Sequence, residues 1–313
     1  MLMQVVTITL NPAVDWTVAV PALAIGEVNR VVDNRTSAGG KGVNVASLLA
    51  DYGLHVGATG FLGRANASIF EELFVQKGIE DAFVRISGAT RTSIKVVDRL
   101  SGVTTDVNFS GLSPSEAEVQ AVHDGVMSIA ERAKPWIVLA GSLPPGVDTD
   151  LVGRLVRRLK MAGCPVVVDT SGEALSEAVG AAPDIIKPNL RELEVLAGRS
   201  LRGLQAVREA AREVVEGGVP LVAVSMGADG ALFVTDDEVV MARSPDVEVG
   251  STAGAGDAMV AGIVSGRIDG RSLDYIARLS TAFSLHVLTR DRLTASLSTA
   301  IEYWLPQVRT ERL

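Results

Sequence analysis

Between about residue 130 and residue 225 the chain repeats one pattern, a short unbroken apolar run followed by a stretch with helical spacing. Trp136–Ala140, Val166–Val168, Ile185–Ile186 and Leu221–Val224 read as strands, while Leu151–Met161 and 203–216 read as helices. A strand without a polar face has no side to turn to water. It belongs in a parallel sheet covered by helices on both faces. The fold class is therefore α/β, with a mostly parallel central sheet between two helical layers. Each apolar run gives way to polar or small residues: Gly141-Ser142, Asp169, Lys187 with Asn189, and Ser225. Open α/β sheets bind ligands at the carboxyl ends of their strands, so these positions are expected to line one edge of one site.

The N-terminus alternates as a strand, with Val5, Thr7 and Thr9 set against Val6, Ile8 and Leu10. Segments 12–37 and 88–110 differ from the rest. Short alternating runs such as Ser93–Val97, with turn signals at Gly88 and Ser101-Gly102, suggest a small β-sheet lid rather than a separate domain. Residues 1–313 are expected to form one domain carrying this lid, with Thr310–Leu313 frayed.

The chain has 313 residues, 47% of them hydrophobic, enough for a large core, and no apolar run long enough to span a bilayer. The start lacks the basic segment and cleavage site of a signal peptide, so a soluble, cytoplasmic protein is expected. One cysteine, Cys164, excludes an internal disulfide and reads as a buried structural thiol. His55, His123 and His286 are scattered, without metal-ligand spacing. A net charge of -8 disfavours nucleic-acid or anionic-membrane partners. Any bound phosphate must then be met by a few local cations and by backbone N–H groups.

Four stretches could carry chemistry. Ser37–Ala46 (SAGGKGVNVA) is a glycine cluster opening a helix. It reads either as a cradle for an oxygen-rich ligand or as a tight turn with an exposed lysine. It matches neither the P-loop nor the G-x-G-x-x-G pattern. Gly254-Ala255-Gly256-Asp257 opens an apolar helical run. Its N–H groups could stabilise a transferring phosphoryl group, with Asp257 as general base. On this motif alone, a first-turn cap is the reading to prefer. Asn189 and Glu192 could hold a hydrated Mg²⁺ or form a capping box. The loop Ser225–Ala231 is a turn that could also pass over nucleotide phosphates.

Taken together, these segments resemble the ribokinase-like (PfkB) carbohydrate kinases. Ala38–Ala46 matches that family's first signature, Ser251–Ala258 (STAGAGDA) its second, and Asn189…Glu192 its N-x-x-E element, in the right order along essentially the whole chain. Thr7–Asp15, Gly26–Asn29, Gly60–Gly63, Thr105–Gly111, Gly141–Gly146 and Lys187–Asn189 are similar to the phosphosugar branch, most of all to its fructose 1-phosphate kinases. Departures are small: Gly250 or Ser251 where Asp is frequent, Ala253 for Val, Ala258 for Ser.

The resemblance implies a ribokinase-like three-layer α/β/α fold. It also implies ATP-dependent phosphorylation of fructose 1-phosphate at C6, with fructose 6-phosphate or tagatose 6-phosphate as alternative acceptors. A non-catalytic sugar-phosphate-binding protein is the alternative of another class. By family position Asp257 is the base and Gly254, Ala255 and Gly256 form the anion hole. Asp15, Gly39, Gly40, Asn44, Asn108 and Ser142 fall on the sugar side, with Lys41 and Arg91 for its existing phosphate. Lys187, Asn189, Ser225, Gly227, Gly230 and Thr252 fall on the ATP side, with Glu192 and Asn189 holding Mg²⁺ through water. Lid strands need protected edges, so a homodimer through the lid is expected.

Overall fold

The computed structural model describes residues 3–289 and 295–313. In chain order its strands are β1 (Val5–Thr9), β2 (Ala13–Val20), β3 (Asp33–Gly39), β4 (Val56–Gly63), β5 (Glu80–Asp81), β6 (Val84–Ile86), β7 (Thr92–Asp98), β8 (Thr104–Asn108), β9 (Trp136–Ala140), β10 (Val166–Asp169), β11 (Ile185–Ile186), β12 (Leu221–Ser225), β13 (Ala231–Val234), β14 (Val239–Arg243) and β15 (Arg309–Arg312).

β1 is buried on both faces. The alternation in its sequence does not separate core from solvent. Val5 packs into one helical layer, Val6 and Ile8 into the other. Thr7 and Thr9 are buried too, their hydroxyls without a hydrogen-bond partner among the described residues. β1 lies between β4 and β9, parallel to both. The large sheet runs β15-β14-β13-β12-β11-β10-β9-β1-β4-β5, with β6 paired to β4. From β12 to β5 every pairing is parallel, and β13, β14 and β15 add an antiparallel edge.

One helical layer contains helices Lys41–Asp51, Ser68–Lys77, Ala255–Ile268, Leu273–Thr289 and Leu297–Trp304. The opposite layer contains Glu116–Ala133, Asp150–Met161, Gly172–Val179, Leu190–Ala197 and Gly203–Glu216. Cys164 is buried in this second layer, and burial pushes its thiol up.

Helix Ala255–Ile268 is buried from Asp257 through Gly266. It is apolar nearly all round, as a helix enclosed on every side must be. Gly262 lets it lie directly on the backbone of Ser280 in helix Leu273–Thr289.

The second sheet is four-stranded, ordered β3-β2-β7-β8. It occupies the two segments read as a lid. β2–β7 is parallel and the other two pairings are antiparallel. Asn11-Pro12 links β1 to β2, and β3 runs straight into helix Lys41–Asp51, so the lid is attached at the ligand-binding ends of the main sheet. The C-terminus is not frayed. β14 would otherwise present an open edge, and β15 pairs along it. Leu313 N–H donates to Val239 O at 3.0 Å, and Arg312 pairs with Glu238 at 3.3 Å. Among the described residues, no helix is long and apolar enough to cross a membrane.

A Cβ at position 262 would collide with the Ser280 backbone, which cannot swing aside as a side chain can. Gly262→Ala is therefore expected to lower unfolding free energy by about 1–3 kcal/mol, as overpacking does. Urea denaturation checks this, and an unchanged midpoint would contradict the close helix contact.

Candidate active site

Two helices begin at the carboxyl ends of the sheet, each on a glycine that holds a positive φ. Gly40 (φ 111) precedes helix Lys41–Asp51, and Gly254 (φ 84) precedes helix Ala255–Ile268. Neither start has a side-chain cap. First-turn N–H groups have no intrahelical acceptor, so both ends present donors and positive helix-dipole charge. Ala255 N–H makes a long 3.3 Å bond to Thr252 O. Gly256 and Asp257 follow it in the first turn.

Asp257 is not a cap. Its carboxylate Oδ2 accepts from Asn44 Nδ2 at 2.7 Å, a bond that ties the two glycine-opened helices together across 213 residues of sequence. Asp257 is only 6% exposed. Burial first, then the charge of Asp169, push its carboxyl up to about 6, against the opposing pull of the Asn44 hydrogen bond, Lys41 and Lys187.

Asp169 closes β10 and is fully buried. Its Oδ1 accepts from Lys41 Nζ at 2.8 Å and lies 3.5 Å from Lys187 Nζ, while Oδ2 has no hydrogen-bond partner among the described residues. Burial opposes its charge, but Lys187 and Lys41 outweigh that and hold it below the usual carboxylate range. Lys41 likewise stays raised, its burial overcome by Asp169 and by the more distant Asp257 and Glu192. The sequence marks Asp169 only as an edge residue of the site, without a role. Its function as the anchor of two lysines depends on β10 and β11 being neighbours.

Two cavities flank the start of helix Ala255–Ile268. One, of about 490 Å³, is lined by Ser225, Gly227, Gly230, Thr252, Ala255 and Gly256, with the apolar side chains of Val247, Met259 and Leu288. The other, of about 290 Å³, is lined by Asp15, Asn44, Lys95, Ala253 and Gly254. An outer cavity of about 430 Å³ shares Asp15, Ser37, Lys95 and Ala253 with it and adds Arg35 and Ser251. The segment 253–256 is therefore the partition between two ligand-sized spaces.

The other sequence-derived positions fall as follows. Gly39 makes room for Asp15, whose carboxylate lies 2.6–2.9 Å from where a Cβ would stand. Gly40 packs on Pro12 in the same way, at 2.9 Å. These glycines thus admit the chain's own groups. Lys41 faces Asp169. Arg91 spends three donors on backbone carbonyls: Nε to Pro12 O, and its two terminal nitrogens to Phe109 O and Asn11 O, at 3.0–3.3 Å. It borders an apolar crevice with Leu10, Phe61 and Pro144, and burial lowers its pKa against the pull of Asp15. Asn108 accepts from Ser93 Oγ on the lid, and Ser142 from Asn11 Nδ2.

Asn189 and Glu192 form the capping box: Asn189 Oδ1 accepts from Glu192 N–H, and Glu192 Oε2 from Asn189 N–H, both at 2.8 Å. Glu192 Oε1 takes no part in that box, and Asp169 Oδ2 at the end of β10 is buried without a partner among the described residues. Mg²⁺ keeps most of its waters and asks for one or two carboxylates, so this donor set fits a hydrated ion. In the sequence Lys95 is one residue of the alternating run Ser93–Val97, with nothing to mark it for a site. Its proximity to Asp15 follows from the β2–β7 register, which pairs Thr17 with Lys95.

The model of the pfkB family carbohydrate kinases matches residues 5–300. The chain belongs to that family, and is thus a phosphotransferase with a hydroxyl acceptor. Among its relatives, the 1-phosphofructokinase of Rhodobacter capsulatus is 45% identical over 98% of this chain and 100% of its own length. That of Escherichia coli K12 is 40% identical over 89% of both chains. The structure of E. coli phosphofructokinase-2 in complex with substrates and products superimposes with a TM-score of 0.90 at 30% identity, over 96% of this chain and 99% of that one.

The two buried aspartates should respond oppositely to neutralisation. Asp257 is raised to about 6 from 3.8, so its stabilising contribution is present below the unfolded value and lost as pH rises through 6. At pH 7 the ionised group weakens the fold, and Asp257→Asn should leave Tm unchanged or higher. Asp169 is lowered, so it stabilises above its unfolded pKa and loses that effect only in acid. Asp169→Asn leaves two lysines uncompensated and should destabilise by about 3–5 kcal/mol at pH 7. Thermal denaturation of both variants checks the pair; the reverse order would contradict the charge arrangement.

Proposed function

We propose that the chain transfers the γ-phosphoryl group of ATP to the C6 hydroxyl of fructose 1-phosphate, giving fructose 1,6-bisphosphate and ADP. The observation that carries this reading is the partition itself. A capless helix start separates two cavities, and beside it stands a buried carboxyl raised to about 6. The cavity with Ser225, Gly227, Gly230 and Thr252 takes the nucleotide, its apolar wall suiting the base. The cavity with Asp15 and Asn44 takes the sugar. The names of the relatives supply the choice of fructose 1-phosphate.

Asp257 accepts the C6 hydroxyl proton as the oxygen attacks the γ-phosphorus, and the bond to the ADP oxygen breaks. Charge on the transferring group meets the N–H donors of Gly256 and Asp257 and the ammonium groups of Lys41 and Lys187. Asp15 accepts from sugar hydroxyls. Asn44 holds the Asp257 carboxylate, leaving its other oxygen for the acceptor. Mg²⁺, held through water by Glu192 with support from Asp169, would neutralise β- and γ-phosphate charge. The lid excludes water, which would otherwise compete for the γ-phosphate.

Release of ADP by purified protein over fructose 1-phosphate, fructose 6-phosphate and tagatose 6-phosphate tests the assignment. Fructose 1-phosphate is expected to have the highest kcat/KM, and Asp257→Asn to lose roughly a hundredfold or more in kcat. Preference for a 6-phosphate would move the substrate, and no turnover with any sugar would indicate a binding protein.

The lid also supports a homodimer. Ile25 is 96% exposed and Val28 83% in the connection between β2 and β3, with Trp16 on β2, Val107 on β8 and Phe109 just after β8 also open to solvent. Apolar surface beside free strand edges suits a second copy of the same lid. Sedimentation at micromolar concentration should give a dimer, and Ile25→Asp with Val28→Asp a monomer. A monomeric parent protein would contradict the proposal.

A further inference from the structure

Strands β14 and β15 end the large sheet, and their register sets Arg243 directly opposite Arg309. Side chains opposed in an antiparallel pair leave the same face, with Cβ atoms about 5 Å apart, and like charges so placed repel. Neighbouring arginines are matched to acids. Arg312, also on β15, lies 3.3 Å from Glu238, and Arg278 lies 3.1 Å from Asp274. Arg243 makes only a long 3.4 Å bond to the Asp229 carbonyl. The Arg309 side chain has no hydrogen-bond or ion-pair partner among the described residues. The two cations therefore oppose each other until an anion joins them.

Both arginines line one cavity of about 530 Å³, whose other polar lining is Ser244, Asp246 and Gln307. Ser244 and Asp246 also border the 490 Å³ cavity on the nucleotide side, but none of residues 253–257 borders this outer one. It is thus separate from the partition at which phosphoryl transfer is placed. A guanidinium presents paired N–H donors that match two phosphate oxygens. Two of them, one on each strand, can share a single dianionic phosphoryl group. The rest of the lining suits a neutral body with hydroxyls. Asp246 repels a second anionic group and accepts hydrogen bonds, as does the Ser244 hydroxyl. Gln307 donates its Nε2 to Tyr303 O at 2.7 Å, which leaves its Oε1 as a further acceptor.

We propose that this cavity is a further ligand site, which takes a small phosphate monoester bearing hydroxyl groups, with the phosphate held between Arg243 and Arg309. Asp246, Ser244 and Gln307 take its hydroxyls. The site stands on the β14–β15 register and its own lining, so it holds whichever acceptor the active site phosphorylates.

Glycerol 3-phosphate is the probe, and ethyl phosphate, a monoester without hydroxyls, is its control. In protein labelled with ¹⁵N at arginine, the Nε–H resonances absent from Arg243→Lys and from Arg309→Lys identify the two groups by NMR. This readout is local, so binding of the probe in the active site does not disturb it. Both resonances should move with glycerol 3-phosphate and share one midpoint, with or without a non-hydrolysable ATP analogue and Mg²⁺ at saturation. Ethyl phosphate should bind about threefold or more weakly, as the loss of hydroxyl contacts requires. Arg309→Gln should raise the midpoint at Arg243 about tenfold or more, because a charged hydrogen-bond partner of the phosphate is lost. Should Arg309→Gln fold poorly, Arg243→Gln followed at Arg309 gives the same comparison.

Resonances that stay still, or that titrate with different midpoints, would overturn the proposal. So would an Arg243 midpoint indifferent to Arg309→Gln, since each arginine would then be a solvated charge acting alone. Displacement by the ATP analogue would make the pair part of the nucleotide site, and equal binding of ethyl phosphate would remove the hydroxyl contacts; either result contradicts the site as proposed.

Discussion

Asp257 and Asp169 share a site from which water is largely excluded, and two ionised carboxylates there repel each other. The arrangement holds because the two groups are treated differently. Lys41 and Lys187 both converge on Asp169, which stays charged. Asp257 receives one amide hydrogen bond and, among the described residues, no direct cation, so its proton affinity rises. Environments that push two similar groups apart are how a protein assigns separate roles to them. Here one carboxylate becomes an anchor and the other, in the proposed reaction, the base.

The rest of the fold brings these groups together. Lys41 and Asn44 come from the first glycine-opened helix, Asp257 from the second, Asp169 and Lys187 from neighbouring strand ends. The burial of helix Ala255–Ile268 on all sides fixes the position of its first turn, and with it the partition between the two cavities. The lid contributes Asp15 and Lys95 from adjacent strands, so its register determines how the cavity they line is charged.

Much of this was legible in the sequence. Continuous apolar runs reveal a doubly covered parallel sheet, because no other arrangement hides both faces of a strand. Polar residues just beyond them mark the binding edge, while Asp257 and Asn44 are singled out only by the resemblance to the PfkB kinases, the helix start alone favouring a cap for Asp257. Register and pairing were harder to read. Thr7 and Thr9 look like a solvent face until β4 and β9 enclose them. Arg91 reads as a phosphate cation, and nothing in the sequence announces the three backbone carbonyls that also meet its guanidinium. Lys95 sits in an unremarkable alternating strand, and only its β2 neighbour gives it meaning. The C-terminal residues look like a loose end until β14 offers them an edge. In each case the missing information is a contact between segments distant in sequence.

The proposed role of Asp257 as the base depends on the surroundings that raise its pKa. A pH–rate profile would mix this with the phosphate groups of sugar and nucleotide, whose second ionisations fall in the same range. Direct titration avoids that overlap. In protein labelled with ¹³C at its aspartate carboxyls, the resonance absent from Asp257→Asn is the one to follow by NMR. The account predicts that it titrates at about 6 in the ligand-free protein. A midpoint at the ordinary aspartate value, near 3.9, would contradict it.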